Sequence, residues 1–494
     1  MLQLGASAAT FAQQVFIARV LGATEQTDGY QMALALALFV MPGLTTGPLV
    51  NGLVPRLARL TLDDADRARH YVFWAQLTLF VVTSALMIGL WIATPAIITV
   101  TAAGLSPATR FWAIDSSRIM VWATPIATLS GVYTASLYVS GDLRFVALAQ
   151  AAQNVVAALF AILAYRSVGF AALPLSLVIG TLAGCALLFG RLHSRSLLPR
   201  QDRRYARVSF KSILTVTAGP LAVPILGSVP GFAERWFMSF FPVGQIAILG
   251  YVGRIVNVAL AFGVSIGVVA LARWSRGHAA GDGRGEVAAT SRAAATALLF
   301  ILLPGTVALV AMSDIVIHVL FGDSRMDPSQ LATSTLALSI YALSLIPTAL
   351  MGLLMRGFYA AENSGSAVGT TVVWVVLNVA LDVALVPTFG LYGLATAYVL
   401  AVWTTLAIVL IGWRREPWIS VWPAVLVSRE TLAEGAISIV CVAGAGMVLR
   451  HVGLPWGLGV IPFAGATYLA CSAAAGSSLA REVVRLVARR GGST

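Results

Sequence analysis

The sequence predicts an all-α polytopic membrane protein of about fourteen spans, built as two parallel six-helix lobes followed by a C-terminal helix pair. Three observations carry this reading. Of 494 residues, 59% are hydrophobic and 11% are charged, where a soluble domain carries about 25% charge; the mean hydropathy is +0.87. Arginines concentrate in the connections that follow even-numbered apolar runs. The order of turn-forming residues in the first half returns in the second.

Taken in order, the first fifty residues are already informative. Residues 11–55 hold two apolar runs joined by a polar turn, with Arg19, Glu25 and Asp28 between them and Pro42, Gly43, Gly47 and Pro48 interrupting the second. A simple anchor needs no such break, whereas broken spans are tolerated where the freed backbone faces protein or a water-filled cavity. The stretch therefore predicts a transporter built around an interior path. No cleavable signal peptide is expected, because the N-terminus lacks a basic start and a small-residue cleavage site. Roughly, the spans fall at 2–21, 29–54, 71–94, 113–139, 143–165, 168–190, 210–240, 244–272, 287–312, 330–356, 366–386, 390–412, 431–449 and 456–476.

The arginines test that map. Connections after even-numbered spans hold Arg56, Arg59, Arg67 and Arg69, then the run Arg191–Arg207, then Arg273 and Arg276, then Arg356, then Arg414 and Arg415; the tail holds Arg485, Arg489 and Arg490. The odd connections at 241–244 and 387–390 hold none. Positive residues mark the cytoplasmic side, so both termini are expected there. The basic run RLHSRSLLPRQDRRYAR is read as a linker with affinity for anionic headgroups. It separates an N-lobe at 1–190 from a C-lobe at 210–412, with the linker at 191–209, the extra helix pair at 413–480 and a basic tail at 481–494. The net charge of +12, with Lys211 the only lysine, is explained by these loops and does not call for nucleic acid. Cys185, Cys441 and Cys471 all lie in apolar runs and are read as packing residues.

The two halves repeat. Pro125, Gly131 and Tyr138 precede a polar turn, then Asn154, Gly169 and Phe170; Pro347, Gly352 and Tyr359 precede another, then Asn378, Gly390 and Leu391. An even number of spans separates the copies, so they share orientation, and two parallel bundles suit alternating access.

No nucleotide-binding, zinc or nucleophile motif appears, so energy must come from a gradient or the membrane potential. Ionisable groups inside spans are the next candidates, being costly unless they face the interior or a partner. Arg254 is read as a cavity-facing anion contact or as half of a structural pair with Glu234. Arg19 contacts an anion or snorkels to the interface; Arg235 is read as interfacial. Asp115 and Arg118 are spaced for an i,i+3 ion pair. Asn378 and Asp382, spaced i,i+4, share one helix face; with Glu234 and Thr396 they could hold Na⁺, or Asp382 could relay a proton, against a plain helix–helix hydrogen bond. Asp314 and His318 are read as solvated at an outer boundary. Trp74, Trp112, Trp236, Trp413, Trp418, Trp422 and Trp456 are read as an interfacial aromatic belt.

The ordered segments ARVLGATEQTDGY, MPGLTTGPLVNGLVP, YVGRIVNVALAFGVSIGVVALARWSR, HVLFGDSRMDPSQLATSTLALSIYALSLIP and MRGFYAAENSGS resemble the MurJ (MviN) lipid II flippases of the MOP exporter superfamily, over most of residues 1–412. The Arg-Gly-Phe-Tyr-Ala segment at Arg356–Ala360, with Phe321-Gly322 upstream, is the most specific part. The resemblance implies a fourteen-helix, V-shaped fold in a bacterial cytoplasmic membrane and no enzymatic activity. It implies a groove for a polyprenyl tail at the last two helices, and an undecaprenyl-pyrophosphate-linked cell-wall precursor as substrate. It places Arg19, Asp28 and Arg254 among the substrate contacts and makes Glu234, Asn378 and Asp382 look like the family's C-lobe cation site. No cofactor is implied beyond coupling to Na⁺ or H⁺, and no partner beyond the lipid-linked glycan and the bilayer; a monomer is expected. Where family members carry further arginines in the first two spans, this chain has Ser7, Gln13 and Met41. The alternatives are a related exporter of capsule or O-antigen units, a cation-coupled drug exporter, or a non-transporting scaffold.

Overall fold

A computed structural model describes residues 2–44, 46–206, 208–213, 227–279, 284–361, 363–413, 419–426, 428–452, 460–475, 477 and 479–481. Among them every regular element is helical. The chain forms two compact units, Met1–Tyr251 and Val252–Thr494.

The first unit holds α1 (Leu2–Leu21), α2 (Glu25–Leu44), α3 (Thr46–Asp63), α4 (Ala65–Thr101), α5 (Pro107–Met120), α6 (Ala123–Val139), α7 (Leu143–Val168), α8 (Ala172–Ser194) and α9 (Val229–Met238), and the start of α10 (Gln245–Ala279). In its core, Leu53, Leu57 and Leu60 of α3 meet Tyr71, Val72, Trp74, Ala75 and Leu79 of α4 and Val132 of α6. A second cluster joins Leu137 of α6, Val146 and Ala149 of α7, and Cys185 and Leu188 of α8. Small residues let these helices approach closely, as membrane helices do. A Cβ on Gly180 of α8 would stand 2.6 Å from the Gln153 carbonyl of α7, and one on Gly29 of α2 would stand 2.6 Å from Trp112 Cβ of α5. The outer face of α4 leaves Val81, Leu86, Ile92 and Val100 exposed, as expected of a lipid-facing helix.

The second unit holds α11 (Arg284–Ala311), α12 (Ser313–Phe321), α13 (Pro328–Ala342), α14 (Leu345–Ala360), α15 (Ser364–Gly412), α16 (Trp422–Leu426), α17 (Arg429–Ser438), a π turn at Ile439–Ala443, α18 (Gly444–Val452) and α19 (Val460–Ala474).

Several expected spans are broken, for a common reason. The segment at 113–139 divides between α5 and α6, and that at 330–356 between α13 and α14, which bend by 43°. Proline lacks an N–H and its ring clashes with the carbonyl four residues earlier. Pro125 disrupts Val121, and Pro347 disrupts Leu343; these residues are the C-caps of α5 and α13. The freed Leu343 carbonyl accepts Trp403 Nε1–H at 3.1 Å. Pro304, inside α11, frees the Phe300 carbonyl, which accepts the Tyr468 hydroxyl at 3.1 Å. Trp403→Phe should therefore lower stability by about 1 kcal/mol. The loss should shrink in a Pro347→Ala background, where residue 347 regains its own N–H; thermal unfolding of the double-mutant set reads the coupling.

The repeat read from the sequence has a local backbone counterpart. Gly169 (φ 65°, ψ −146°) separates α7 from α8, and Gly390 (φ 55°, ψ −132°) interrupts α15. Both lie in the positive-φ region that glycine enters without a Cβ clash. Each unit thus runs broken helix, polar turn, long helix, glycine reversal, return helix. The expected pair of spans at 366–386 and 390–412 is α15 on either side of Gly390.

Among the described residues, five helices are long and apolar enough to cross a bilayer, or six with the bent pair. Two of the five segments, of 52 and 48 residues, are each long enough for two crossings at about 20 residues apiece. The expected span at 29–54 is instead α2 and α3, the second of which continues to Asp63. Parts of the expected spans at 210–240 and 456–476, together with Arg207, Arg414, Arg415, Trp418, Trp456 and the tail arginines Arg485, Arg489 and Arg490, lie outside the described residues. So do the side chains of Met41, Pro42, Gly43, Gly47, Pro48, Arg273 and Arg276.

The basic segment after α8, expected as a linker with affinity for anionic headgroups, is docked on the first unit. Arg191 Nε pairs with Asp142 at 2.6 Å and Arg195 lies 3.6 Å from the same carboxylate. His70 Nδ1 accepts the Asp202 amide at 3.0 Å, Arg69 donates to the Leu198 carbonyl at 3.2 Å, and Tyr205 donates to Asp64. The Arg191 guanidinium holds the Asp142 carboxyl below the usual carboxylate range. Because the folded value is the depressed one, this docking is complete above the ordinary carboxylate range and weakens as pH falls through the lowered value. Asp142→Asn should release the segment and speed tryptic cleavage at Arg195 and Arg200 about threefold or more at neutral pH.

The tryptophans do not form one belt. Trp422 is fully buried and Trp74 nearly so, whereas Trp236 is 43% exposed. Arg118 stacks over Trp91, 4.6 Å from the ring centre, and among the described residues makes no ion pair with Asp115. The stacking shields one face of a guanidinium that a one-turn neighbour would leave open.

Candidate functional site

The first unit gathers polar groups at the α1–α2 turn and the start of α10. Asp28, expected among the substrate contacts, is 2% exposed. Its Oδ2 accepts the Gly244 amide at 2.6 Å and its Oδ1 accepts the Ala247 amide at 2.7 Å. Gly244 has φ +96°, which turns the chain so that the first amides of α10 converge on one carboxylate. A helix N-terminus carries unsatisfied donors and partial positive charge, and Asp28 supplies both the acceptors and the charge. Nearby, the Tyr251 hydroxyl donates to the Gly22 carbonyl at 2.8 Å. Gly250 lies so close to Gln31 that a Cβ would stand 2.7 Å from its amide carbon. The start of α10 is thereby pinned to α2.

Buried amides extend this network. Gln31 donates to Gln14 at 2.8 Å, and Gln13 donates to Ser176 of α8 at 2.9 Å. Gln13, one position where the family carries arginine, is therefore a packed and hydrogen-bonded core residue, 7% exposed. Ser7 is half-buried on α1. Arg19 lies exposed in the last turn of α1. Glu234, on α9, faces Arg235 at 3.6 Å.

In the second unit, Arg254 is half-buried on α10. Asn378 and Asp382 are both fully buried on α15, and they share a face, as their spacing predicts. Neither the oxygen nor the nitrogen of the Asn378 amide has a hydrogen-bond partner. Thr370 Oγ1 and Trp374 Nε1, at the two preceding fourth positions, are likewise buried and unpartnered. Residues 370, 374, 378 and 382 form one polar stripe on a largely apolar helix. The same i,i+4 rule that paired Asn378 with Asp382 could have found the two it missed. Tyr398 meets Trp374 edge to face at 6.5 Å, which places Thr396 on the return half of α15 about level with the turn between Trp374 and Asn378. The Thr396 hydroxyl donates to the Tyr392 carbonyl at 2.8 Å, keeping its lone pairs available. Glu234 belongs to the other compact unit.

Arg356, expected in a connection, lies inside α14. Its Nη1 donates to the Gly352 carbonyl at 2.9 Å, and the guanidinium lies against Gly267. Elsewhere in this unit, a cleft of about 520 Å³ is lined by small residues with Arg292, Thr296, Glu430 and Leu479.

Comparison with known proteins assigns this architecture. The family model described as lipid II flippase MurJ matches residues 17–466. The chain belongs to the MurJ family. A curated relative from Thermotoga maritima, named "Probable lipid II flippase MurJ", is 23% identical over 78% of each chain. Another of that name, from Rhizobium tropici, is 32% identical over 32% of this chain and 30% of its own length. Among solved structures, a lipid II flippase MurJ in an inward closed conformation matches 97% of this chain and 98% of its own, with TM-score 0.78 and 16% identity. An inward-facing MATE transporter of the MOP superfamily matches 84% of this chain with TM-score 0.72 and 14% identity. The MurJ fold is thus present through nearly the whole chain, in a membrane transporter family rather than an enzyme family.

Proposed function

We propose that this MurJ-family protein moves lipid II, an undecaprenyl-pyrophosphate-linked peptidoglycan precursor, across the bacterial cytoplasmic membrane by alternating access. The observation that carries this reading is the family match over residues 17–466. The MATE likeness concerns the fold, covers less of the chain and does not favour drug export. In this reading the lobes are residues 1–190 and 210–412, followed in the chain by the 413–480 pair, and both termini are cytoplasmic. Arg254 supports it chemically: guanidinium binds pyrophosphate oxygens through paired hydrogen bonds, and an arginine within an apolar helix faces a cavity or a partner rather than lipid. Asn378, Asp382 and Thr396 offer the oxygen ligands a hard cation takes, which supports coupling to Na⁺, with H⁺ on Asp382 as the other carrier.

The test is rescue of cells depleted of their own lipid II flippase. The wild-type chain should restore growth and outer-leaflet exposure of lipid II. Arg254→Ala, expressed at the same level, should lower translocation about tenfold or more, the loss of one charge-assisted contact. Failure of well-expressed wild type to rescue would point to another polyprenyl-linked glycan.

A further inference from the structure

The C-terminal helix pair contains a buried carboxyl that the lipid-translocation reading does not use. Glu434, on α17, is 2% exposed. Its Oε1 accepts the Ser477 hydroxyl at 2.7 Å, and its Oε2 has no hydrogen-bond partner. Among the described residues, no arginine, lysine or histidine forms an ion pair with it. One turn later the helix opens into the π turn Ile439–Ala443, an irregularity that recurs at functional sites.

One hydroxyl, that of Ser477, meets the carboxyl, and those of Ser438, Tyr468 and Ser472 lie close by. Ser438 donates to the Glu434 carbonyl at 2.7 Å, Tyr468 to the Phe300 carbonyl and Ser477 to Glu434 itself. Ser472 is fully buried. Tyr468 has Glu434 as an electrostatic neighbour and Ser438 and Ser472 as side-chain hydrogen-bond neighbours. A hydroxyl whose proton is given elsewhere still offers oxygen lone pairs. The cluster therefore offers a carboxyl and several oxygen acceptors in a dry setting, with one orphan carboxyl oxygen, Glu434 Oε2. Native interiors do not leave such groups unsatisfied without cause.

We propose that Glu434, with the hydroxyls of Ser438, Tyr468, Ser472 and Ser477, binds a monovalent alkali cation. Hard cations take all-oxygen ligand sets, and a single carboxylate balances a single positive charge. Glu430, one turn before Glu434 on the same face, lines the 520 Å³ cleft together with Leu479, so the cation approaches from that cleft past a second carboxylate. Once bound, it ties α17 to α19 through Ser472 and to α11 through Tyr468. The site shares no residue with Asn378 and Asp382 on α15.

The test uses the full-length protein in detergent, carrying Asp382→Asn so that the α15 carboxylate cannot respond. Its unfolding midpoint is followed against Na⁺, K⁺ and Li⁺, with choline holding ionic strength constant. The midpoint should rise with at least one alkali cation. Adding Glu434→Gln should abolish the rise, and adding Ser472→Ala should move the half-maximal concentration upward about tenfold. An undiminished rise with Glu434→Gln, or no alkali-specific rise before it is added, overturns the site. If Glu434→Gln does not fold, an unchanged half-maximal concentration in both Ser472→Ala and Ser477→Ala does so. On the wild-type chain, dicyclohexylcarbodiimide labelling of Glu434, read by mass spectrometry, should slow about tenfold in the binding cation and not in choline; labelling indifferent to every alkali cation also overturns the site.

Discussion

Asp28→Asn should destabilise the protein by about 2–4 kcal/mol and abolish rescue of flippase-depleted cells. The carboxylate accepts two backbone amides, Gly244 N–H and Ala247 N–H. An asparagine has one oxygen to accept with; its NH₂ would face the other amide, leaving a buried donor unsatisfied and removing the negative charge from the start of α10. Asp28→Glu should fail as well, since the site is 2% exposed and has no room for another methylene. The measurement is the unfolding midpoint in detergent alongside rescue. A residue that only touches substrate would lose rescue and keep its midpoint. A midpoint unchanged within about 1 °C would therefore return Asp28 to the substrate contacts.

What the sequence made legible was local. The helix reversals follow from Gly169 and Gly390, and the helix breaks, which the expected unbroken spans at 113–139 and 330–356 passed over, follow from Pro125 and Pro347 acting on carbonyls four residues away. Each is a short-range steric rule that needs no knowledge of the tertiary structure. The shared face of Asn378 and Asp382 is legible for the same reason. What stayed hidden was non-local. The amides that Asp28 caps lie 216 and 219 residues further along the chain, and Gln13 meets Ser176 across 163 residues. A motif comparison registers Asp28 as a conspicuous acid beside Arg19, and chemistry then suggests a ligand contact; only the fold shows that both its oxygens are engaged.

The substitution of glutamine for a family arginine at residue 13 changes meaning in the same way. Read alone, it removes a positive charge from a cavity. In the structure Gln13 packs between α1 and α8 with its amide bonded to Ser176. Restoring arginine there would force a guanidinium into a neutral, close-packed site, which costs several kcal/mol unless a counter-charge is supplied. The pyrophosphate reading consequently rests more heavily on Arg254.

Asn378→Leu should separate stability from transport more sharply than any other change in the second unit. The Asn378 amide is fully buried with both polar atoms unpartnered. Orphan buried groups cost about 1–3 kcal/mol each, and replacing them with an apolar side chain of similar shape is neutral or stabilising. If the amide oxygen serves a cation beside Asp382, leucine should leave the unfolding midpoint in choline unchanged or higher. The same variant should lose the Na⁺ dependence of lipid translocation, with Asp382→Asn matching that loss. If Asn378 instead joins helices through a hydrogen bond, leucine should lower the midpoint in every salt and leave the cation dependence intact. Flipping measured in proteoliposomes with Na⁺ or choline, beside unfolding in the same salts, separates the two. A polar stripe that runs through Thr370, Trp374, Asn378 and Asp382 along an apolar helix is costly as packing alone, and that cost favours the first outcome.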